Sequence, residues 1–106
     1  MAAIFQVDPA GAQALLKDGA TLLDVREPWE YAQVHVEGSL HIPMGQVPER
    51  FPELNSGRVY VVMCHHGSRS QQVAMFLTSK GFGKVANLKG GIDAWAAELD
   101  PRLSRY

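Results

Sequence analysis

Cys64 is the only cysteine in a chain of 106 residues. It stands where an apolar run, Val59-Tyr60-Val61-Val62-Met63, meets a short polar loop, His65-His66-Gly67-Ser68-Arg69. A cysteine attacks as its thiolate, and backbone N–H groups, helix N-termini and nearby cations favour that anion. The sequence offers all three. Gly67 permits the positive φ that lets successive amides curl inward. A helical pattern opens at Ser70, Arg69 brings a fixed positive charge, and the two histidines can add more. This combination describes an activated nucleophile inside a pocket for an anion. The competing reading, a buried and inert small hydrophobe, fits less well, because Cys64 leads directly into the glycine-bearing loop instead of lying within the apolar run.

Two reaction classes place a cysteine at the base of such a loop, and loop size separates them. A phosphatase needs a cradle wide enough for a tetrahedral phosphoryl group, with five residues between Cys and Arg. Here four residues separate Cys64 from Arg69. The tighter ring suits a single sulfur atom carried on the cysteine as a persulfide.

The elements that must hold this loop follow from residue patterning. Ile4–Val7 reads as a short strand, and Asp8-Pro9 opens a helix that Gly19 stops. Thr21–Val25 is a buried strand, Glu27–Tyr31 a short helix and Ser39–Pro43 a brief strand. Pro48 and Pro52 permit only short helical turns between Gly45 and Gly57. Arg58–Met63 is the strongest strand, and Ser70–Lys80 the strongest helix, with Val73, Ala74, Phe76 and Leu77 on one side. Lys84–Leu88 forms a last strand and Ile92–Leu99 a last helix. Strands alternating with helices predict a parallel α/β sheet covered on both faces. Ligands of such sheets bind at the C-terminal strand ends, where Cys64 lies.

Cys64-His65-His66-Gly67-Ser68-Arg69 resembles the C-x-x-G-x-R loop of rhodanese-type sulfurtransferases. Three further blocks resemble the same family in the same order. Asp24-Val25-Arg26 with Glu30-Tyr31 resembles its D-V-R-x-x-x-E-[FY] segment. His35–Ser39 with Ile42-Pro43 resembles its G-H-I-x-G-A…I-P stretch, although Val34 and Glu37 depart from it. Leu88–Trp95 resembles its closing L-x-G-G-x-x-x-W motif. The resemblance runs from about residue 4 to about residue 98. It implies a three-layer α/β/α rhodanese-like fold with a five-stranded parallel sheet, formed by one domain over residues 1–106. The segment 101–106 is expected to be a loosely attached tail.

The implied chemistry is a two-step exchange without a cofactor. The Cys64 thiolate takes the outer sulfur of a small-molecule donor such as thiosulfate, and a thiophilic acceptor removes it. That acceptor is cyanide or a thiol, including a thiol protein such as thioredoxin. Loop amides of His65, His66, Gly67, Ser68 and Arg69 would stabilise the persulfide anion, and Arg69 would hold the loop closed and attract an anionic donor. The His65-His66 pair stands where some members carry basic side chains that favour thiosulfate, which bears on donor preference. Rival readings are a cysteine-dependent phosphatase or arsenate reductase on the same fold, and a non-enzymatic persulfide relay or regulatory module.

Supporting residues are expected around this centre. Asp24 ends a strand on the same sheet edge, where it either orients neighbouring groups or caps the following turn. Arg26 and Glu30, four apart, are expected to form an ion pair worth about 0.3–0.5 kcal/mol if exposed. His65 and His66 either tune the thiolate or are solvated. Trp29 and Trp95 are expected to pack, and Gly90-Gly91 to turn so that backbone approaches the cysteine loop. No metal site is expected from His35, His41, His65 and His66.

Composition narrows the rest. Apolar residues make up 46% and charged residues 20%, with a formal net charge of −1. This balance suits a globular domain and provides no electrostatic attraction to nucleic acid or an anionic membrane. The start, MAAIFQVDPAG, lacks the features of a signal peptide, and no apolar run reaches the ~18–20 residues that span a bilayer. A cytoplasmic, reducing compartment is the expectation.

Overall fold

The computed structural model of the protein describes residues 4–106; the first three residues of the N-terminal stretch discussed above lie outside the described part. Five strands form one parallel sheet: β1 (Phe5–Val7), β2 (Thr21–Asp24), β3 (Leu40–His41), β4 (Val59–Met63) and β5 (Lys84–Leu88), in the order β1-β5-β4-β2-β3. The helices are α1 (Pro9–Lys17), α2 (Pro28–Gln33), α3 (Val47–Arg50), α4 (Ser68–Ser79) and α5 (Gly91–Glu98). Two 3₁₀ turns, Met44–Gln46 and Phe51–Glu53, flank α3, so the proline-bearing segment folds into short turns as its composition predicts. No helix among the described residues is long and apolar enough to cross a membrane.

The central strand β4 shows why the sheet needs cover on both sides. Its side chains alternate between two cores, as a period of two requires. Tyr60, Val62 and Cys64 join Leu23, Val25 and Val85 on one face, against Val73, Ala74 and Leu77 of α4. Val61 and Met63 join Leu22, Ala86 and Leu88 on the other, against Ala12 of α1 and Ile92 and Trp95 of α5. Three layers result. Several helix starts are set locally. The Asp8 carboxylate accepts the Gly11 N–H at 2.8 Å and Pro9 occupies the first turn of α1. At α2 the Glu30 carboxylate folds back to accept the Glu27 N–H at 2.9 Å.

Boundaries move slightly from expectation. α4 begins at Ser68, two residues before the expected start at Ser70, because Gly67 turns the chain with φ +117°. β3 shrinks to two residues, paired Leu40 to Leu23 and His41 to Asp24. The larger correction concerns the tail. Its last residue, Tyr106, returns to the sheet's C-terminal edge and packs on Trp29 and His65, so this segment is not loosely attached.

Candidate active site

Register brings the chemistry together. Asp24 pairs with Met63 and Asn87 with Val62, so β2, β4 and β5 finish side by side with Cys64 one residue past the sheet's central strand. Cys64 is buried, with 1% of its surface exposed. The N–H of Gly67 donates to Cys64 Sγ at 3.0 Å, and the Ser70 hydroxyl lies 3.3 Å from the same sulfur.

The backbone around Cys64 is held from behind by the start of α5. The Ile92 N–H donates to the Cys64 carbonyl at 2.9 Å and the Asp93 N–H to the His65 carbonyl at 3.2 Å. In a trans peptide the C=O and N–H point in opposite directions. Tying these two carbonyls to α5 therefore turns the N–H groups of His65 and His66 away from it. Gly91 makes the approach possible: with φ +61°, a Cβ there would stand 2.3 Å from the His65 carbonyl oxygen and 2.5 Å from that of Cys64. The Gly90-Gly91 turn thus brings α5 against the cysteine loop, as the resemblance implies.

Arg69, at the first turn of α4, reaches across to α2. Its guanidinium grips the Glu30 carboxylate with two bonds, Nη1 to Oε1 at 2.6 Å and Nη2 to Oε2 at 2.9 Å. Such fork-to-fork pairing is directional and strong. Glu30 is only 3% exposed. Hydrogen bonding from Arg69 outweighs burial and holds this carboxyl at about 2, while the same contact raises the Arg69 pKa further. Arg69 is accordingly a clamp between α4 and α2 whose charge is already countered, which qualifies its expected part in attracting a donor.

The expected Arg26–Glu30 ion pair does not form. Arg26 turns instead to Asp24, which accepts from its backbone N–H, Nε and Nη2, the last at 2.7 Å. Both residues are fully buried. The remaining Arg26 donors reach the carbonyls of Glu30 and Val34 and the Tyr106 hydroxyl. The reason is geometric: the backbone turns after β2, so the residue two before Arg26 becomes its neighbour, while Glu30 faces the cysteine loop. Asp24 makes no hydrogen bond to that loop. It positions Arg26, and Arg26 in turn supports Tyr106 and α2.

Tyr106 closes one side. Its hydroxyl donates to Glu30 Oε2 at 2.7 Å and accepts from Arg26 Nη1 at 2.9 Å. Burial, together with the Glu30 carboxylate, pushes the phenol up to about 12. Its ring stacks on His65 at 4.0 Å, and His66 stacks on the other face of His65 at 3.9 Å. His65 is therefore no solvated loop residue: Nε2 is enclosed without a hydrogen-bond partner among the described residues, and burial pushes its pKa down. Trp29, expected to pack, is 62% exposed and meets Tyr106 edge-on, whereas Trp95 is buried.

His65, His66 and Asp93 bring possible ligand atoms within 4.8 Å of one another. The arrangement suits a metal poorly. Imidazole lone pairs lie in the ring plane, and two stacked rings 3.9 Å apart cannot both aim at one ion. Asp93 is in addition bound by Arg105 at 2.8 Å and 3.0 Å. His35 and His41 lie elsewhere, on the two faces of Tyr31.

Four side chains of this centre escaped attention in the sequence: Glu30 as the partner of Arg69, Ser70, Asn87 and Tyr106. Glu30 belongs to the D-V-R-x-x-x-E block and Ser70 follows the loop arginine, so both carried a signal. Asn87 lay inside an ordinary strand and Tyr106 in an unpatterned tail.

Parallel three-layer architecture and a cysteine loop seated at the end of the central strand define an α/β domain built around one protected thiol. The chain belongs to the Rhodanese-like domain family, which it matches over residues 8–98. It is 37% identical over 90 residues to a thiosulfate sulfurtransferase GlpE of Pseudomonas fluorescens, covering 85% of this chain and 83% of that one. A sulfurtransferase of Allochromatium vinosum is 43% identical over 75 residues, 71% of this chain and 70% of its own. Among solved structures, a rhodanese-related protein from Thermoplasma volcanium superposes with a TM-score of 0.84 at 30% identity, covering 96% and 99% of the two chains.

Proposed function

We propose that the protein is a sulfurtransferase that carries a sulfane sulfur on Cys64. The observation that carries this reading is the seat of Cys64 Sγ, which accepts the Gly67 N–H at 3.0 Å with the Ser70 hydroxyl at 3.3 Å. The Gly67 N–H is aimed at the sulfur before charge develops there, the condition for electrostatic catalysis. Relatives named as sulfurtransferases in the same family support it.

In the first half-reaction the Cys64 thiolate attacks the outer sulfur of thiosulfate. A Cys64–S bond forms, the donor's S–S bond breaks, and sulfite leaves with the electron pair. In the second, cyanide or a thiolate attacks the outer sulfur of the persulfide, the new S–S bond breaks, and the Cys64 thiolate departs. Covalent catalysis of this kind gives ping-pong kinetics. Thiol proteins such as thioredoxin are acceptors of suitable chemistry. The four-residue spacing between Cys64 and Arg69 opposes the phosphatase reading, and inactivity on an aryl phosphate is the expected result.

The deciding experiment is intact mass under non-reducing conditions after incubation with thiosulfate, beside a Cys64→Ser control. The wild type should gain one sulfur atom and lose it to cyanide, and the control should gain none. If neither thiosulfate nor a polysulfide leaves sulfur on Cys64, the reading is wrong.

A further inference from the structure

Ser70 is fully buried and its hydroxyl stands among three acceptors: Asn87 Oδ1 at 2.5 Å, the Gly67 carbonyl at 3.1 Å and Cys64 Sγ at 3.3 Å. One hydroxyl hydrogen cannot serve all three at once. The orientation of the Asn87 amide is set by its other neighbours. The Gly67 carbonyl can only accept, so Asn87 Nδ2 lies on that side at 3.2 Å; it also donates to Gln6 Oε1 at 3.0 Å. Oδ1 is left facing Ser70, and it too can only accept.

We infer that Ser70 is a catalytic residue whose hydroxyl swings between Asn87 and Cys64 Sγ as charge appears on the sulfur, with Asn87 positioning it. While Sγ is a thiol, the Ser70 hydrogen goes to Asn87 Oδ1, its shortest contact, and an Oγ lone pair faces the S–H. When the S–H proton leaves to solvent, Sγ becomes an anionic acceptor. A charge-assisted hydrogen bond is stronger than a neutral one, so the hydroxyl rotates to the sulfur while its own proton stays on Oγ. Persulfide formation moves the negative charge to the outer sulfur, and the hydrogen returns to Asn87. Attack by the acceptor makes Sγ a leaving thiolate and calls the hydrogen back. The device thus serves both half-reactions, and it rests on the sulfurtransferase reading only in that Cys64 works as a thiolate.

The test needs no sulfur donor, so its failure is distinct from failure of sulfur transfer. Ultraviolet absorbance of the thiolate is followed against pH in the wild type, Ser70→Ala and Asn87→Ala. Loss of the hydroxyl should move the midpoint up by about one pH unit, a roughly tenfold loss of thiolate below it. Loss of the competing acceptor in Asn87→Ala should move the midpoint down. General loosening of the loop would move both variants the same way, and that outcome, or an unmoved midpoint in Ser70→Ala, overturns the proposal. Should either variant fail to fold, the wild type still decides the matter by NMR. A slowly exchanging Ser70 hydroxyl proton should change shift as Cys64 ionises, and an invariant or absent resonance counts against the swing.

Discussion

Glu30→Gln tests the clamp that holds α4 to α2. Glu30 is 3% exposed and accepts four hydrogen bonds, two from Arg69 at 2.6 and 2.9 Å, one from Tyr106 at 2.7 Å and one from the Glu27 N–H at 2.9 Å. Glutamine keeps the shape and removes the charge. A carboxyl held at about 2 instead of 4.5 is linked to roughly 3 kcal/mol of folding stability at neutral pH. The sign follows from the direction: the folded-state value is depressed, so this stability is present above about pH 4.5 and drains away as pH falls toward about 2. Urea unfolding of wild type and variant should therefore differ by about 3 kcal/mol at neutral pH, and by only about half of that near pH 3. Arg69 is one-third exposed and water can partly solvate it once its partner is gone, so a somewhat smaller gap is compatible with the clamp. A gap below about 0.5 kcal/mol, or one that stays constant across this pH range, refutes the reasoning.

Gly91→Ala should cost at least ~3 kcal/mol in urea unfolding, because the residue sits at φ +61° and the new Cβ meets two carbonyl oxygens of the cysteine loop. The same variant should leave Cys64 more open to alkylation, since those carbonyls can no longer dock on α5. Asp24→Asn strands the fully buried Arg26 without its counter-charge, and a loss of about 3–5 kcal/mol is expected by the same measurement. Tyr106→Phe keeps the stack on His65 but removes the hydroxyl shared by Glu30 and Arg26. Its expected cost is about 1–2 kcal/mol, and unchanged stability would show that the tail's attachment depends on the ring alone.

Features governed by local rules were legible in the chain before any coordinates. Asp8-Pro9 starts a helix wherever it is placed, because its carboxylate and fixed φ act over one turn. β4 announces itself because each of its side chains must be apolar to lie between two helical layers. The cysteine loop is a run of consecutive residues, so its spacing and its glycine carry its shape. The partners of that loop were another matter. Arg26 and Glu30 are four apart and would meet on one helix, yet the turn after β2 sends Arg26 to Asp24 and leaves Glu30 for Arg69, 39 residues further on. Asn87 and Ser70 meet because β5 lies beside β4, a fact of strand order that neither segment encodes alone.

The amino-acid sequence by itself therefore determined where the cysteine loop lies, the helix and strand starts and the loop's match to the family, since these depend on residues close along the chain. Tertiary structure decided which groups reach Cys64 and the clamp beside it. Strand order brings Asn87 behind Ser70, helix docking presses Gly91 onto the loop's carbonyls, and the returning tail lays Tyr106 on His65 and Glu30. Each of these contacts joins residues distant in sequence, whose side chains become neighbours only after the apolar faces of the sheet have been buried.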